Sequence, residues 1–482
     1  MARDPDDRTL ELARRYRQPR GVEQFGIEAV PPELRTVRWY DISLIILNIV
    51  VNPGNVLVAG LAVAAGLSFW AALLAVAAGT SIGLGAYLVM ATLGVDHGLP
   101  GEVALRMPFG VHGAKIGPSA LRVVASIYWF AFQTIAGSLG ITAALRILTG
   151  HDIPLLPVSL AFAALQMLVA LVGYDSLKKL SRYAFPVKIT LTVLFLVLLM
   201  THREPGFAVD EALSWNTGGL SWPLLALWIN SVASGWLSMI TDASNWCRYS
   251  RSRADMWIGT ASAVLVGTVL VSALGAYAAA ATRGQQGNAF DVVAAMASGK
   301  PVVLTLLIVF IVLDNWTVNV LNLYTGGMAV SNIAPKIGRF WSTLAVSVFG
   351  VALVLVPDLV NGYTEYMSVL GTVFAPLAGV LVADYLYLRR CRIDVPALYD
   401  ASRRYRYWGG VNWLAIGWVV AGFAGTNLLP AAAVPNLVGM VVTALGYAVS
   451  AKALAGRSGV FATALDPVVP ATATAVARQP VQ

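Results

Sequence analysis

Charge is scarce in this chain: Asp, Glu, Lys and Arg make up 12% of its 482 residues, where a soluble domain carries about twice that share. Cysteine is scarcer still. Cys247 and Cys391 each sit beside an Arg-rich stretch that the charge pattern assigns to the reducing cytoplasm, so no disulfide is expected. The four histidines, His97, His112, His151 and His202, fall between apolar stretches, and no pair has metal-ligand spacing. A phosphate loop, a nucleophile elbow and a Cys-x-x-Cys are all missing. These gaps take support from an ATP-driven pump and from a metalloenzyme. Residues 1–39 are charged and lack an apolar core. They read as a cytoplasmic tail and not as a cleavable signal peptide.

What the chain has in abundance is apolar sequence, with 57% hydrophobic residues and a mean hydropathy of +0.70. Its charges cluster, and the stretches between them reach roughly 20 residues, enough to cross a hydrocarbon core of about 30 Å. About twelve spans follow: 40–66, 68–94, 119–147, 156–174, 184–201, 221–246, 256–282, 301–331, 341–358, 366–388, 410–429 and 433–455. Alternate loops differ in charge. One set holds Arg106 and Lys115, then Lys178, Lys179, Arg182 and Lys188, then Arg248, Arg251 and Arg253, then Lys336 and Arg339, then Arg389, Arg390, Arg392, Arg403, Arg404 and Arg406. The other holds little beyond Arg203, Arg283 and Lys300. By the positive-inside rule both termini are cytoplasmic, in a multi-pass protein of the inner membrane. The net charge of +8 is thus a topology signal, and no nucleic-acid polymer is expected as a partner. Residues 456–482, rich in Ala, Thr, Pro and Val, read as a disordered cytoplasmic tail.

Polar groups within the apolar spans are costly and mark candidate sites. The first span carries Asn48, Asn52, Pro53, Gly54 and Asn55. Proline removes a backbone donor and clashes with the preceding turn, so the helix should break there and expose carbonyls and amides to a cavity. The competing reading is a plain proline kink. The sixth span carries Ser231, Ser234, Gly235, Trp236 and Ser238, a small polar segment that fits either a second break or close helix packing. The two segments lie five crossings apart. A five-helix unit is odd, so its second copy is inverted, and interrupted helices at matching positions of two halves mark a midplane transport site. The expected fold is all-α and polytopic, a LeuT-type five-plus-five inverted repeat with two added helices. Repeat one covers about 40–201, repeat two about 221–388, and the added pair about 410–455 within a transporter domain of 40–455.

In the third span Trp129 and Gln133 share one face, which suits a ring stacked on indole with an amide reading its –NH–C=O edge. The eighth span reads Asp314-Asn315-Trp316-Thr317-Val318-Asn319-Val320-Leu321-Asn322. Asn315, Asn319 and Asn322 form one stripe and Asp314, Thr317 and Val318 another. The amides suit a neutral polar solute. The Asp and Thr suit a cation, through oxygen ligands or a titratable carboxylate. Interhelical hydrogen bonding is the alternative for both stripes.

At these residues the sequence resembles the nucleobase–cation symporter 1 family of cytosine, purine, allantoin and hydantoin permeases. The likeness rests on Tyr128-Trp129-Phe130 with Gln133, Gly235-Trp236 followed by Asn245-Trp246-Cys247-Arg248-Tyr249, Asn315-Trp316-Thr317 through Asn319 to Asn322-Leu323-Tyr324, Ala383-Asp384-Tyr385 with Arg389-Arg390, and Val411-Asn412-Trp413. Gly26-Ile27-Glu28, Pro31-Pro32-Glu33 and Arg35 add to it. The resemblance implies that Trp129 and Trp236 sandwich a flat ring. Gln133 and Asn319 would hydrogen-bond its edges, helped by Gly235, Asn322 and the broken backbone at Asn52, Pro53 and Gly54. It also implies a sodium site at the carbonyls near Ile49 and Asn52, the Asp314 carbonyl and the Thr317 hydroxyl. This chain departs from the family at three points. Val318 offers no oxygen, Asp314 brings a carboxylate that could restore sodium binding or carry a proton, and Asn245 replaces the usual Asp. The expectation is a secondary transporter, not an enzyme and without a cofactor. It would import a flat heterocycle, cytosine or a purine first and allantoin, a hydantoin or a thiamine-precursor pyrimidine otherwise, coupled to sodium or a proton, as a monomer. A channel should show a pore helix or charged ring, and an amino-acid carrier should show partners for a carboxylate and an amine. The first pattern is missing, and the two mid-span Trp and the amide stripe fit a neutral ring better than the second.

Overall fold

The computed structural model describes residues 23, 25–217, 220–400 and 404–466. Among them no strand forms, and β contacts are limited to isolated bridges of Val37 with Ser250 and Trp408 with Val411. The principal helices are α1 (Trp39–Val50), α2 (Pro53–Ala64), α3 (Phe69–His97), α4 (Ala120–Thr149), α5 (Leu155–Val172), α6 (Tyr174–Met200), α7 (Trp222–Ser238), α8 (Ile240–Cys247), α9 (Arg253–Ala281), α10 (Pro301–Ile333), α11 (Arg339–Val354), α12 (Tyr363–Val382), α13 (Trp413–Asn427) and α14 (Pro435–Ala455). Among the described residues, eight single helices and two bent pairs are long and apolar enough to cross a membrane. The remaining two expected spans coincide with α11 and α13, which have 16 and 15 residues. Leu74, Leu168, Leu265 and Leu445 stand exposed on the helices' outer faces, as lipid-facing side chains do.

Both expected breaks are present. The chain bends by 45° between α1 and α2 and by 46° between α7 and α8. At the first, Asn52 is extended (φ −141°, ψ 154°), its Oδ1 accepts from the Asn55 amide, and Pro53 opens α2. Proline at that position lacks only a donor that would have been unpaired anyway. At the second, Met239 leaves helical geometry (φ −91°, ψ 6°), and the Ser238 hydroxyl donates to the Gly235 carbonyl at 2.7 Å.

Helices α1 and α2 pack on α9, and α7 and α8 pack on α3. Helix α4 packs on α10 and α11, while α6 lies against both α1 and α10. The α2–α9 crossing needs glycine, because a Cβ on Gly275 would lie 1.9 Å from the Val56 carbonyl oxygen.

Two expectations require correction. Helix α6 starts at Tyr174, ten residues before the span expected from 184, and Lys188, counted with the basic loop although that span already held it, is no loop residue. It is fully buried at mid-helix. The segment after Ala455 is not all disordered. Gly459–Leu465 is a helix that buries Phe461 and Ala464, while residues 467–482 lie outside the described ones. The described part of the N-terminal tail is docked. The Glu23 carboxylate meets Arg248 at 2.8 Å and the hydroxyls of Tyr249 and Tyr324 at 2.6 and 3.0 Å. Val37 pairs through its backbone with Tyr249 and Arg251. Arg248 is fully buried at the end of α8, and a buried guanidinium needs such a counterion.

Candidate functional site

The two breaks open onto one cavity of about 640 Å³, walled by the α1–α2 junction, α3, α4, α7, α9 and α10. It extends to Asn288, Phe290 and Asp291, on the face opposite the basic loops. Its size matches a small-molecule site. Of the expected residues, Ile49, Asn52, Gly54, Trp129, Gln133, Gly235, Trp236, Asp314 and Asn322 all line it. Pro53 contributes its backbone position at the start of α2.

Both indoles are fixed by aromatic neighbours. Trp236 meets Tyr87 edge-on at 5.7 Å. It packs so closely on α3 that a Cβ on Gly83 would lie 2.2 Å from the Trp236 Cβ. Trp129 meets Phe132 and Tyr366 edge-on at 5.8 and 6.1 Å. Such pairs hold each ring in one orientation. Gln133 Oε1 is 3.5 Å from Asn322 Nδ2, which also donates to Asn319 Oδ1 at 3.1 Å.

Asn319 does not reach the cavity. Its amide donates to Phe130 O and Thr134 Oγ1 at 3.1 Å and to Gln166 Oε1 at 2.5 Å. Those acceptors lie on α4 and α5, so Asn319 ties α10 to its neighbours. The cavity face of α10 is Ile311, Asp314, Asn315, Val318 and Asn322. At 100° per residue Asn319 lies about 40–60° around from its fellow asparagines, enough to turn it toward α4. Asn315, noted in the amide stripe but not assigned to the site, joins the wall.

Two of the expected cation residues, Asp314 and Thr317, meet a group that sequence reasoning missed. The Lys188 ammonium contacts Asp314 Oδ1 at 2.6 Å and donates to Asn48 O and Thr317 Oγ1, both at 3.1 Å. Three oxygens thus surround the ammonium. Thr317 donates in turn to the Asp314 carbonyl at 2.8 Å. The Ile49 carbonyl accepts from Asn52 Nδ2 at 2.5 Å. A protein-borne cation therefore meets the Asp314 carboxylate, the Thr317 hydroxyl and a carbonyl one residue before Ile49. Among the described residues no three His, Cys, Asp or Glu cluster as a metal site.

Asn245, the third departure, also has a use. Its Oδ1 accepts from the Gly101 amide at 2.9 Å and its Nδ2 donates to Glu102 Oε1 at 3.1 Å. Glu102 lies in a short buried helix, Gly101–Ala104, between α3 and α4. Burial first, then the nearby Asp242 carboxylate, pushes its carboxyl up to about 8. The folded protein therefore holds a proton that the unfolded chain releases near 4.5. Stability from this group is full below about pH 4.5 and is lost as pH rises through about 8. Glu102→Gln, neutral at every pH, should flatten that decline. Thermal midpoints at about pH 5 and about pH 8.5 check this, and an unchanged slope would refute it.

The model for permeases of cytosine/purines, uracil, thiamine and allantoin matches residues 29–450. A hydantoin permease of Microbacterium maritypicum is 27% identical over 377 residues, covering 75% of each chain. The cytosine permease of Escherichia coli K12 is 30% identical over 372 residues, covering 76% of this chain and 80% of that one. Among solved structures, Mhp1, a nucleobase-cation-symport-1 family transporter in a closed conformation with bromovinylhydantoin bound, superposes with a TM-score of 0.77 at 23% identity. The match covers 92% of this chain and 98% of Mhp1. At that identity the likeness concerns the fold, which is the LeuT type expected from the two breaks.

Proposed function

Because this chain belongs to the permease family for cytosine/purines, uracil, thiamine and allantoin, we propose that it imports a neutral flat heterocycle, cytosine or a purine first, driven by protons and not by sodium. It is a multi-pass membrane transporter and not an enzyme. The observation that carries the solute reading is the cavity itself, which Trp129, Trp236 and Gln133 all line. Stacking on indole contributes roughly 1–3 kcal/mol per base, and the amides discriminate against rings that leave them unpaired. The Lys188 ammonium among Asp314, Thr317 and Asn48 supports proton coupling, since it takes up the oxygens that a sodium ion would need.

The basic face is read as cytoplasmic, in the inner membrane, with the cavity turned toward the outside. The working unit is read as a monomer. Helices α1–α6 form the first inverted repeat, α7–α12 the second, and α13–α14 the added pair. Transport then proceeds by alternating access around the midplane site.

The test is thermal stabilisation of the purified protein by cytosine, adenine, guanine, uracil, hydantoin and allantoin, with and without sodium, at two pH values. A bound ligand raises apparent stability according to its saturation. Stabilisation by one base, enhanced by acid and indifferent to sodium, is expected. A response confined to hydantoin or allantoin would reassign the solute within the family. Silence from every flat ring would overturn the reading of the cavity.

A further inference from the structure

Seven residues before Trp129 on the same face of α4 stands Arg122, which the transport reading leaves without a part. Its side chain is 1% exposed, yet it forms part of the cavity wall. Nε donates to Ser126 Oγ at 3.0 Å, one turn along α4. One terminal nitrogen donates to the Ser238 carbonyl at 3.1 Å and pairs with Asp242 Oδ2 at 2.8 Å. Ser238 is the last residue of α7, and Asp242 lies in the first turn of α8. Breaking a helix leaves carbonyls without partners on one side and amides on the other. The guanidinium satisfies the first directly and, through Asp242, neutralises a charge suited to the second. A single side chain on α4 thereby holds both halves of the broken helix.

We propose that Arg122 is the gate residue of the cavity floor. It pins the α7–α8 break to α4 directly beneath the solute, and its release from Asp242 lets α8 swing away and opens the cavity toward the basic face. The partners belong to different packing groups, α7 and α8 with α3 and Arg122 with α4 and α10, so motion of one group against the other must part them. A charge pair suits a contact that has to be remade in every cycle, because it is directional and its separated halves are readily solvated. The inference rests on the transporter reading but not on the identity of solute or ion.

The native Cys247 at the end of α8 is fully buried and reports on that motion without any solute. In a Cys391→Ser background, in membrane vesicles, it should react slowly with N-ethylmaleimide. Asp242→Asn removes the charge but keeps the Ser126 and Ser238 bonds available, and it should raise the labelling rate roughly tenfold by populating the open floor. Arg122→Gln should do the same, while Arg122→Lys, which retains the charge, should stay near the parent rate. Each variant is scored for folding by its thermal midpoint. Parent-like labelling in folded Asp242→Asn and Arg122→Gln would overturn the proposal. Failure of both to fold would overturn it too, making the pair a fixed brace. Because no heterocycle enters the assay, a wrong solute assignment leaves its outcome unchanged.

Discussion

Replacing Lys188 with alanine is expected to cut uptake under an imposed proton gradient by at least about two orders of magnitude, because a buried charge stripped of its partner costs about 3–5 kcal/mol. Lys188 and Asp314 are 0% and 1% exposed at the side chain and 2.6 Å apart. The ammonium also reaches Asn48 on α1 and Thr317 on α10, so it ties the broken first helix to the helix that carries the amide wall. Protonation of Asp314 would cancel the pair's attraction and loosen α1 from α10. Deprotonation would restore it. Under the proposed proton coupling, a proton arriving from one side and leaving on the other would be tied to the rearrangement that moves the solute.

The same geometry makes a sharper prediction about sodium. With Lys188→Ala, the Asp314 carboxylate, the Thr317 hydroxyl and the Asn48 carbonyl are left facing an emptied space. Hard cations bind such oxygen sets. Sodium should therefore raise the thermal midpoint of Lys188→Ala while leaving the wild-type protein unmoved. Uptake should be measured under an imposed proton gradient and, separately, an imposed sodium gradient. Sodium-driven uptake by the wild-type protein would sink the proton reading, whereas Asp314→Asn should still exchange solute but no longer accumulate it.

Trp129→Ala should weaken solute binding by about 5-fold to 150-fold, the equivalent of the roughly 1–3 kcal/mol that one stacked base contributes. Trp129 is the cleaner of the two indoles for this purpose. Its neighbours Phe132 and Tyr366 touch it edge-on, and it lines the cavity. Trp236 is also wedged against Gly83, so truncating it would loosen α3 from α7. Gln133→Ala should behave differently. It removes the group that reads the ring's edge, so selectivity between rings should fall more than affinity for the preferred one. Titration of each variant against the ring that best stabilises the wild-type protein separates the two effects. Unchanged affinity in Trp129→Ala would mean that the solute does not stack there.

Lys188, which sequence reasoning placed in a loop, and Arg122, which it passed over, were missed for a common cause. Lys188 follows Lys178, Lys179 and Arg182 closely, and a run of basic residues reads as a loop. Helix α6 in fact begins at Tyr174, and about fourteen residues at roughly 1.5 Å each carry Lys188 about 21 Å into it. Its neighbours in sequence face the basic side, and only its neighbours in space, Asp314 and Thr317, explain why an ammonium is tolerated there. Arg122 is similar. It sits near the start of α4, where a basic residue normally marks topology, and nothing local ties it to Asp242, far along the chain on α8.

By itself the sequence determined the apolar spans, their alternating charge, the two helix breaks and nine residues of the cavity wall. Those features are local: a span needs only its length and hydropathy, and a break needs only Asn-Pro-Gly or a Gly-Ser cluster in an apolar run. Tertiary structure alone decided which way each polar residue turns and what it meets. Periodicity placed Asn315, Asn319 and Asn322 on one stripe, but packing of α10 against α4 and α5 committed Asn319 to Gln166 and Thr134 and left its fellows to the cavity. The Asp314 and Thr317 stripe of α10 was legible too. That a lysine from α6 would meet it was not, because a charge pair across three helices is set by how the helices cross and leaves no trace in the pattern of any one of them.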